Sequence, residues 1–191
     1  MAVAGRINNL IAQTKKKHLT RRQLVKRFEP IKLLALDVDG VLTDDHIYFG
    51  PDGFEMKKFH ISDGFYMVMA MRLGLEIAVI SGRPSKATTT RMNDLGIEHV
   101  LQDRMDKREQ IKPLLKKLKL TLDQVAFVGN ELLDIGLARQ VGLSIAVRDA
   151  APELIELVDF VTEAKGGSGA VREILAAYFE NRHIVPASLY R

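Results

Sequence analysis

Residues 31–43 read Ile31-Lys32-Leu33-Leu34-Ala35-Leu36-Asp37-Val38-Asp39-Gly40-Val41-Leu42-Thr43. The run Ile31–Val38 is almost wholly apolar and lacks a two-residue alternation, as expected of a strand covered on both faces of a parallel sheet. It delivers two acids, Asp37 and Asp39, at its carboxyl end. Carboxylates there are costly unless cations or hydrogen bonds compensate them. Working outward, short apolar runs recur at Ile77–Ile80, His99–Leu101, Val125–Val128 and Ser144–Val147. Helical spacing lies between them, near Asp63–Arg72, Ser85–Asp94, Lys107–Lys117 and Leu133–Gln140, with Gly74, Gly96 and Gly142 where C-terminal caps would fall. Strands alternating with helices predict an α/β domain: a Rossmann-like parallel sheet with helices on both faces.

One segment interrupts the alternation. Ile47–Phe49 and Glu55–Phe59 flank Gly50, Pro51, Asp52 and Gly53, which predicts a β-hairpin inserted after the first strand. It carries Tyr48, Phe49, Phe54, Met56 and Phe59, and an isolated hairpin is marginal in water. A packing partner is therefore required, and a neighbouring subunit is the favoured one.

Charge is segregated along the chain. The net +4 combines a segment, residues 1–29, in which eight Lys/Arg face the single acid Glu29, with a remainder of 20 basic and 23 acidic residues. The basic character thus belongs to an N-terminal extension and a nucleic-acid surface across the domain is not supported. Within the extension, Ile7, Leu10 and Ile11, then Leu24, Val25 and Phe28, have helical spacing, and Pro30 ends it. It reads as a solvated extension, or as an arm that packs or contacts a polyanion. The expected organisation is a basic extension over 1–29, a domain over 30–181 and a tail over 182–191. With no cysteine, disulfides and thiolate–zinc sites are excluded, which suits a reducing cytoplasm. The longest apolar run, Phe65–Met71, is too short to span a membrane, and the N-terminal residues lack the apolar core of a signal peptide.

In open α/β sheets ligands bind beyond the carboxyl ends of the strands. Three strands place polar chemistry there: Asp37-Val38-Asp39, Ser81-Gly82-Arg83, and Gly129-Asn130-Glu131-Leu132-Leu133-Asp134. Lys107 opens the helix between the last two. Mixed carboxylate, carbonyl and water ligation suits a hard divalent cation such as Mg²⁺.

These four elements, in this order, resemble the four motifs of the haloacid dehalogenase-like superfamily over about residues 31–181. The resemblance implies phosphoryl transfer to Asp37, with Asp39 protonating the leaving oxygen and then activating water. It also implies Mg²⁺ held by Asp37, the Asp39 carbonyl and a residue of the last motif (Asn130, Glu131 or Asp134). Ser81, Lys107 and nearby N–H groups would hold the phosphoryl oxygens. Asn130 departs from the Asp usual at its position, so modest Mg²⁺ affinity is expected. Neither segment between the motifs has room for a cap domain.

The run Tyr48–Gly64 and the segment Gly166-Gly167-Ser168-Gly169-Ala170-Val171-Arg172-Glu173 are similar to 3-deoxy-D-manno-octulosonate 8-phosphate phosphatases. That resemblance implies a homotetramer built on the hairpins, a small phosphorylated sugar acid as substrate, and Gly82, Arg83 and Arg172 near it. Ser62 stands where the family often has Arg. The glycine-rich segment reads either as a flexible joint or, with free N–H groups and Arg172, as an anion contact. His60 lies near the site by resemblance. Three alternatives stay open: a phosphatase for a nonulosonate or another small phosphate, a catalytically weakened oligomeric scaffold, and a polyanion-binding arm displayed by the domain.

Overall fold

The computed structural model describes residues 16–190. The decisive run forms β1 at Leu33–Leu36, buried at every position, and around it assembles a six-stranded parallel sheet. Its members are β4 (Glu76–Ser81), β5 (His99–Gln102), β6 (Val125–Gly129), β7 (Leu143–Ala146) and β8 (Phe160–Val161). They lie in the order β5-β4-β1-β6-β7-β8. β1 pairs with both β4 and β6, Leu34 opposite Ile77 on one side and Ala126 on the other. Between β1 and β4 the chain inserts the hairpin, β2 (Tyr48–Phe49) antiparallel to β3 (Glu55–Met56).

The strand order reverses at β1. Helix α2 (Ile61–Arg72) and α3 (Lys86–Asp94) serve crossovers running one way, and α4 (Lys107–Leu118), α5 (Ile135–Ala138) and α6 (Pro152–Ile155) serve those running back. Right-handed crossovers in opposite directions place helices on opposite faces. The carboxyl ends of β1, β4 and β6 thereby meet at the switch point. The final α7 (Ala170–Asn181) packs on α2. The two connections that could hold a cap carry only the hairpin with α2, and α3 with β5.

Four expectations need correction. The predicted Leu133–Gln140 helix is a 3₁₀ turn at Leu132–Asp134 followed by the single α-turn of α5, because Asp134 is drawn inward by contacts described below. Gly142 is no left-handed cap: unlike Gly74 and Gly96 it has no positive φ, and a Cβ there would lie 2.0 Å from the Asp123 carbonyl oxygen. β8 and α6 escaped the sequence pattern because two and four residues are too few to show a period. Strand ends also differ: β1 is shorter than its apolar run, stopping before Asp37, whereas β4, β5 and β6 extend past theirs, to Ser81, Gln102 and Gly129.

The basic segment divides. Ile7, Leu10 and Ile11 lie outside the described residues, whereas helix α1 (Arg21–Arg27) is docked. Thr20 caps it with Gln23 in a reciprocal capping box. Leu24 and Phe28 are fully buried, Phe28 meeting Tyr178 of α7 edge-on at 5.9 Å. Lys16 pairs with Asp159 at 2.9 Å, and the Arg21 guanidinium donates to the Glu173 carbonyl. The packing alternative therefore holds from Lys16 onward. Truncating a buried Phe costs about 3–5 kcal/mol. Deleting residues 1–29 should thus destabilise the protein by at least that much in urea unfolding, and an unchanged midpoint would contradict the docking of α1.

Candidate active site

Three elements meet at one ammonium. Asp37 follows β1, its N–H donating to the Val128 carbonyl of β6 at 3.0 Å. Lys107, the first residue of α4, is buried, with Nζ 2.7 Å from Asp37 Oδ1 and 2.5 Å from Asp134 Oδ1. Asp134 Oδ2 accepts the N–H groups of Asn130 (2.8 Å) and Glu131 (3.0 Å), so both its oxygens are engaged. Glu131 is exposed and accepts from the Leu132 N–H at 2.7 Å. Burial and the charge of Asp134 push Asp37 up to about 7, against the pull of Lys107. Burial alone would lower Lys107, but its two carboxylates outweigh that and hold it above its ordinary value.

The loop after Asp37 is wound tightly. The Val38 carbonyl accepts the N–H groups of Val41, Leu42 and Thr43 at 2.9–3.2 Å. Gly40 has φ +81°, and a Cβ there would fall 1.9 Å from Asn130 Nδ2, so a glycine lets the first and fourth motifs touch. The glycine-rich segment closes on the same loop: a Cβ on Gly166 would lie 1.8 Å from the Gly40 carbonyl oxygen. Its Gly167 N–H donates to the Val41 carbonyl at 2.9 Å. This segment is a packed spacer and not a flexible joint.

The anion contact expected at α7 is filled from within. Asp63, buried on α2, accepts the N–H of Arg172 at 2.7 Å. Burial nevertheless raises Asp63, the Arg172 and Gly169 N–H groups opposing it. The guanidinium of Arg172 lies over the Tyr66 ring at 5.4 Å. His60 approaches Asp63 at 3.7 Å.

Ser81 ends β4, its hydroxyl donating to the Arg83 carbonyl at 3.1 Å and accepting the Arg83 N–H at 3.2 Å. Gly82 faces Met105, whose sulfur would be 2.8 Å from a Cβ. Two hairpin residues complete this edge, and the motif reading passed over both. Glu55 binds Arg83 at 2.7 Å and the Ser85 hydroxyl at 2.6 Å; the Arg83 contact chiefly holds its carboxyl below the usual range. Lys57 reaches Asp39 Oδ1 at 2.6 Å. The signal that could have found them is the in–out alternation of residues 54–59 on a strand. A groove of about 910 Å³ beside the hairpin, lined by Phe54, Phe59, Lys86 and Arg91 among others, contains none of Asp37, Ser81 or Lys107. The groove adjoins the carboxyl edge through Glu55, Lys57 and Ser85.

Among the described residues no three His, Cys, Asp or Glu side chains form a metal cluster. The donors present nonetheless fit a hard cation. Asn130 is buried, and its Oδ1 has no hydrogen-bond partner, while the amide nitrogen of the same side chain packs on Gly40. Asp37, next to β6, is a carboxyl group whose burial one shared ammonium does not fully offset. An orphaned acceptor beside an under-compensated carboxylate is the arrangement a divalent ion resolves.

Comparison with known proteins agrees with this chemistry. Residues 80–174 match the haloacid dehalogenase-like hydrolase family. The chain is 44% identical over 151 residues to 3-deoxy-D-manno-octulosonate 8-phosphate phosphatase KdsC of Escherichia coli K12, covering 79% of this chain and 80% of that one. The crystal structure of the Yersinia pestis phosphatase is 39% identical with a TM-score of 0.81, covering 84% and 86% of the two chains. That of Moraxella catarrhalis, in complex with magnesium ion, phosphate ion and KDO, is 32% identical with a TM-score of 0.83, covering 88% and 97%.

The acid shift makes stability depend on pH and on cations together. Without divalent ions, native Asp37 retains a proton between 3.8 and about 7 that the unfolded chain has released. The contribution of Asp37 to stability is therefore greatest below that window and falls as pH rises through it. Mg²⁺ competes with the proton for the same carboxylate and should raise Tm more at about pH 8 than at about pH 5.5. Thermal melts in EDTA and in Mg²⁺ at both pH values check this; equal shifts would contradict it.

Proposed function

Because the chain belongs to the haloacid dehalogenase-like hydrolase family, we propose that it is the Mg²⁺-dependent phosphatase of 3-deoxy-D-manno-octulosonate 8-phosphate in lipopolysaccharide biosynthesis. The observation that carries this is the convergence of Asp37, Lys107, Ser81 and the unpartnered Asn130 oxygen at one sheet edge. The phosphatases of E. coli and Y. pestis lend the substrate, and the Moraxella complex with magnesium, phosphate and KDO lends substrate and metal.

In this assignment Asp37 attacks phosphorus in line, and the bond to the sugar oxygen breaks as the aspartyl-phosphate forms. Asp39 gives that oxygen its proton, then takes a proton from the water that cleaves the Asp37–phosphorus bond. Lys107 and the Ser81 hydroxyl hold the phosphoryl oxygens. The Asp37 carboxylate, the Asp39 carbonyl and Asn130 Oδ1 are the groups that would hold Mg²⁺, which would supply neutralisation of the phosphoryl charge. Asn130 takes this role in preference to Glu131 and Asp134, whose carboxylates are engaged by N–H groups and Lys107. Gly82 and Arg83 are assigned to the sugar, with Arg83 fastened by Glu55, and Arg172 is assigned to it by resemblance alone, its N–H being taken by Asp63 and its guanidinium lying over Tyr66.

The catalytic unit is assigned to residues 30–181, with 16–29 docked on it and 182–191 as a tail. No helix of the described residues is long and apolar enough to cross a membrane, and a cysteine-free chain suits the cytoplasm. The site has no cap, so a neighbouring subunit is the natural source of a cover. The hairpin supports a homotetramer, since Phe49 and Phe54 are 69% and 66% exposed beside exposed Tyr48 and Met56.

Two measurements test this. Phosphate release from 3-deoxy-D-manno-octulosonate 8-phosphate should require Mg²⁺, stop with EDTA, and fall at least about 10³-fold in Asp37→Asn, as loss of a covalent nucleophile demands. A better nonulosonate substrate would change the sugar, and no turnover by folded protein would favour the scaffold. In sedimentation, the double change Phe49→Ser, Phe54→Ser should convert a tetramer to smaller species; a monomeric parent protein would refute the interface.

A further inference from the structure

Strand β3 continues its alternation past Met56. Phe54, Met56 and Lys58 are exposed, while Glu55, Lys57 and Phe59 turn toward the domain. The Lys57 side chain has no exposed surface, yet Asp39, its partner at 2.6 Å, keeps 29% of its own. Burying an ammonium is costly unless it is paired. Here the partner is the carboxylate to which the reaction assigns proton transfer, and Lys57 is the one side chain hydrogen-bonded to it among the described residues. Two further charged groups face Asp39, the like-charged Asp45 and the Arg83 guanidinium, and neither is hydrogen-bonded to it. The adjacent inward residue, Glu55, fastens Arg83 and Ser85 in the same way. The hairpin's two-residue strands are too short to hold a geometry alone, so these inward ionic contacts tie hairpin and active site together.

We propose that Lys57 is a positioning residue for the acid–base step. Its ammonium fixes Asp39 through Oδ1, so that Oδ2 is presented to the leaving oxygen and then to water. In the first step the Asp37–phosphorus bond forms and the phosphorus–sugar oxygen bond breaks. The electron pair stays on the sugar oxygen, which takes the proton from Asp39 and leaves as the alcohol. The carboxylate left behind is stabilised by Lys57. The inference rests on the phosphatase assignment, because it concerns Asp39 acting on a leaving group.

The test uses leaving groups of different basicity, since 4-nitrophenolate departs without a proton and a sugar alkoxide does not. General acid catalysis is worth roughly 10²–10⁴-fold, so Lys57→Met should lower kcat/KM for 3-deoxy-D-manno-octulosonate 8-phosphate about 100-fold. For 4-nitrophenyl phosphate kcat/KM should fall less than about threefold. Lys57→Arg should recover part of the loss, and Lys57→Met added to Asp39→Asn should cost nothing further on the sugar phosphate. Equal losses on both substrates would mean a purely structural lysine and overturn the proposal, as would full additivity with Asp39→Asn or full activity of Lys57→Met. If wild type hydrolyses another alkyl phosphate instead, that substrate takes the sugar's place and only the sugar assignment fails. If wild type releases no phosphate from any substrate, both readings fall together.

Discussion

The buried ammonium of Lys107, 2.7 Å from Asp37 and 2.5 Å from Asp134, joins the three segments on which the rest of the site depends. Asp37 leaves β1, Lys107 begins α4 and Asp134 closes the loop after β6. Removing one member of such a set leaves a buried charge uncompensated, typically at about 3–5 kcal/mol. The same contact explains the local fold. Asp134 must turn inward to reach Lys107 and the N–H groups of Asn130 and Glu131, and that turn breaks the helix after β6 into a 3₁₀ piece and one α-turn. With both Asp134 oxygens engaged and Glu131 exposed, Asn130 Oδ1 is the buried last-motif side-chain oxygen without a hydrogen-bond partner.

Close packing transmits this arrangement to segments distant in sequence. Asn130 presses on Gly40, Gly40 on Gly166, and Gly166 is held by Asp149 at 3.0 Å. The glycines near α7 therefore fix the position of the first motif loop instead of holding an anion themselves. Asp63, in turn, anchors the start of α7, which carries α1 on its flank. The basic N-terminal segment is thus tied from Lys16 onward to the element that closes the catalytic loop.

Much of this was legible in residue order. β1, β4, β6 and β7 each announce themselves as an apolar run, because strands covered on both faces admit little else, whereas the half-buried edge strand β5 shows only Val100 and Leu101 between polar ends. The motif residues follow from polar groups at the carboxyl ends of those runs, and the hairpin from its turn residues. What was not legible are contacts between distant segments. Leu24 and Phe28 read equally well as a solvated helix until α7 is seen beside them. Gly142 reads as a cap until Asp123 is found against it. Lys57 carries no motif, and only its inward place just after β3, opposite a carboxylate eighteen residues earlier, gives it meaning. Asn130 stands where the resemblance expects Asp, and its unpartnered oxygen is visible only in three dimensions.

The account turns on Asp37 as the atom acceptor for phosphorus. Asp39→Asn should form the aspartyl-phosphate from 4-nitrophenyl phosphate but hydrolyse it slowly, because it lacks the base for the second step. Rapid quenching in the presence of Mg²⁺, borohydride reduction and peptide mass spectrometry would locate the modified residue. The account predicts conversion of Asp37 to homoserine in step with release of the first equivalent of 4-nitrophenolate. Release of that equivalent with Asp37 unmodified, or with the mark on another carboxylate, would contradict it.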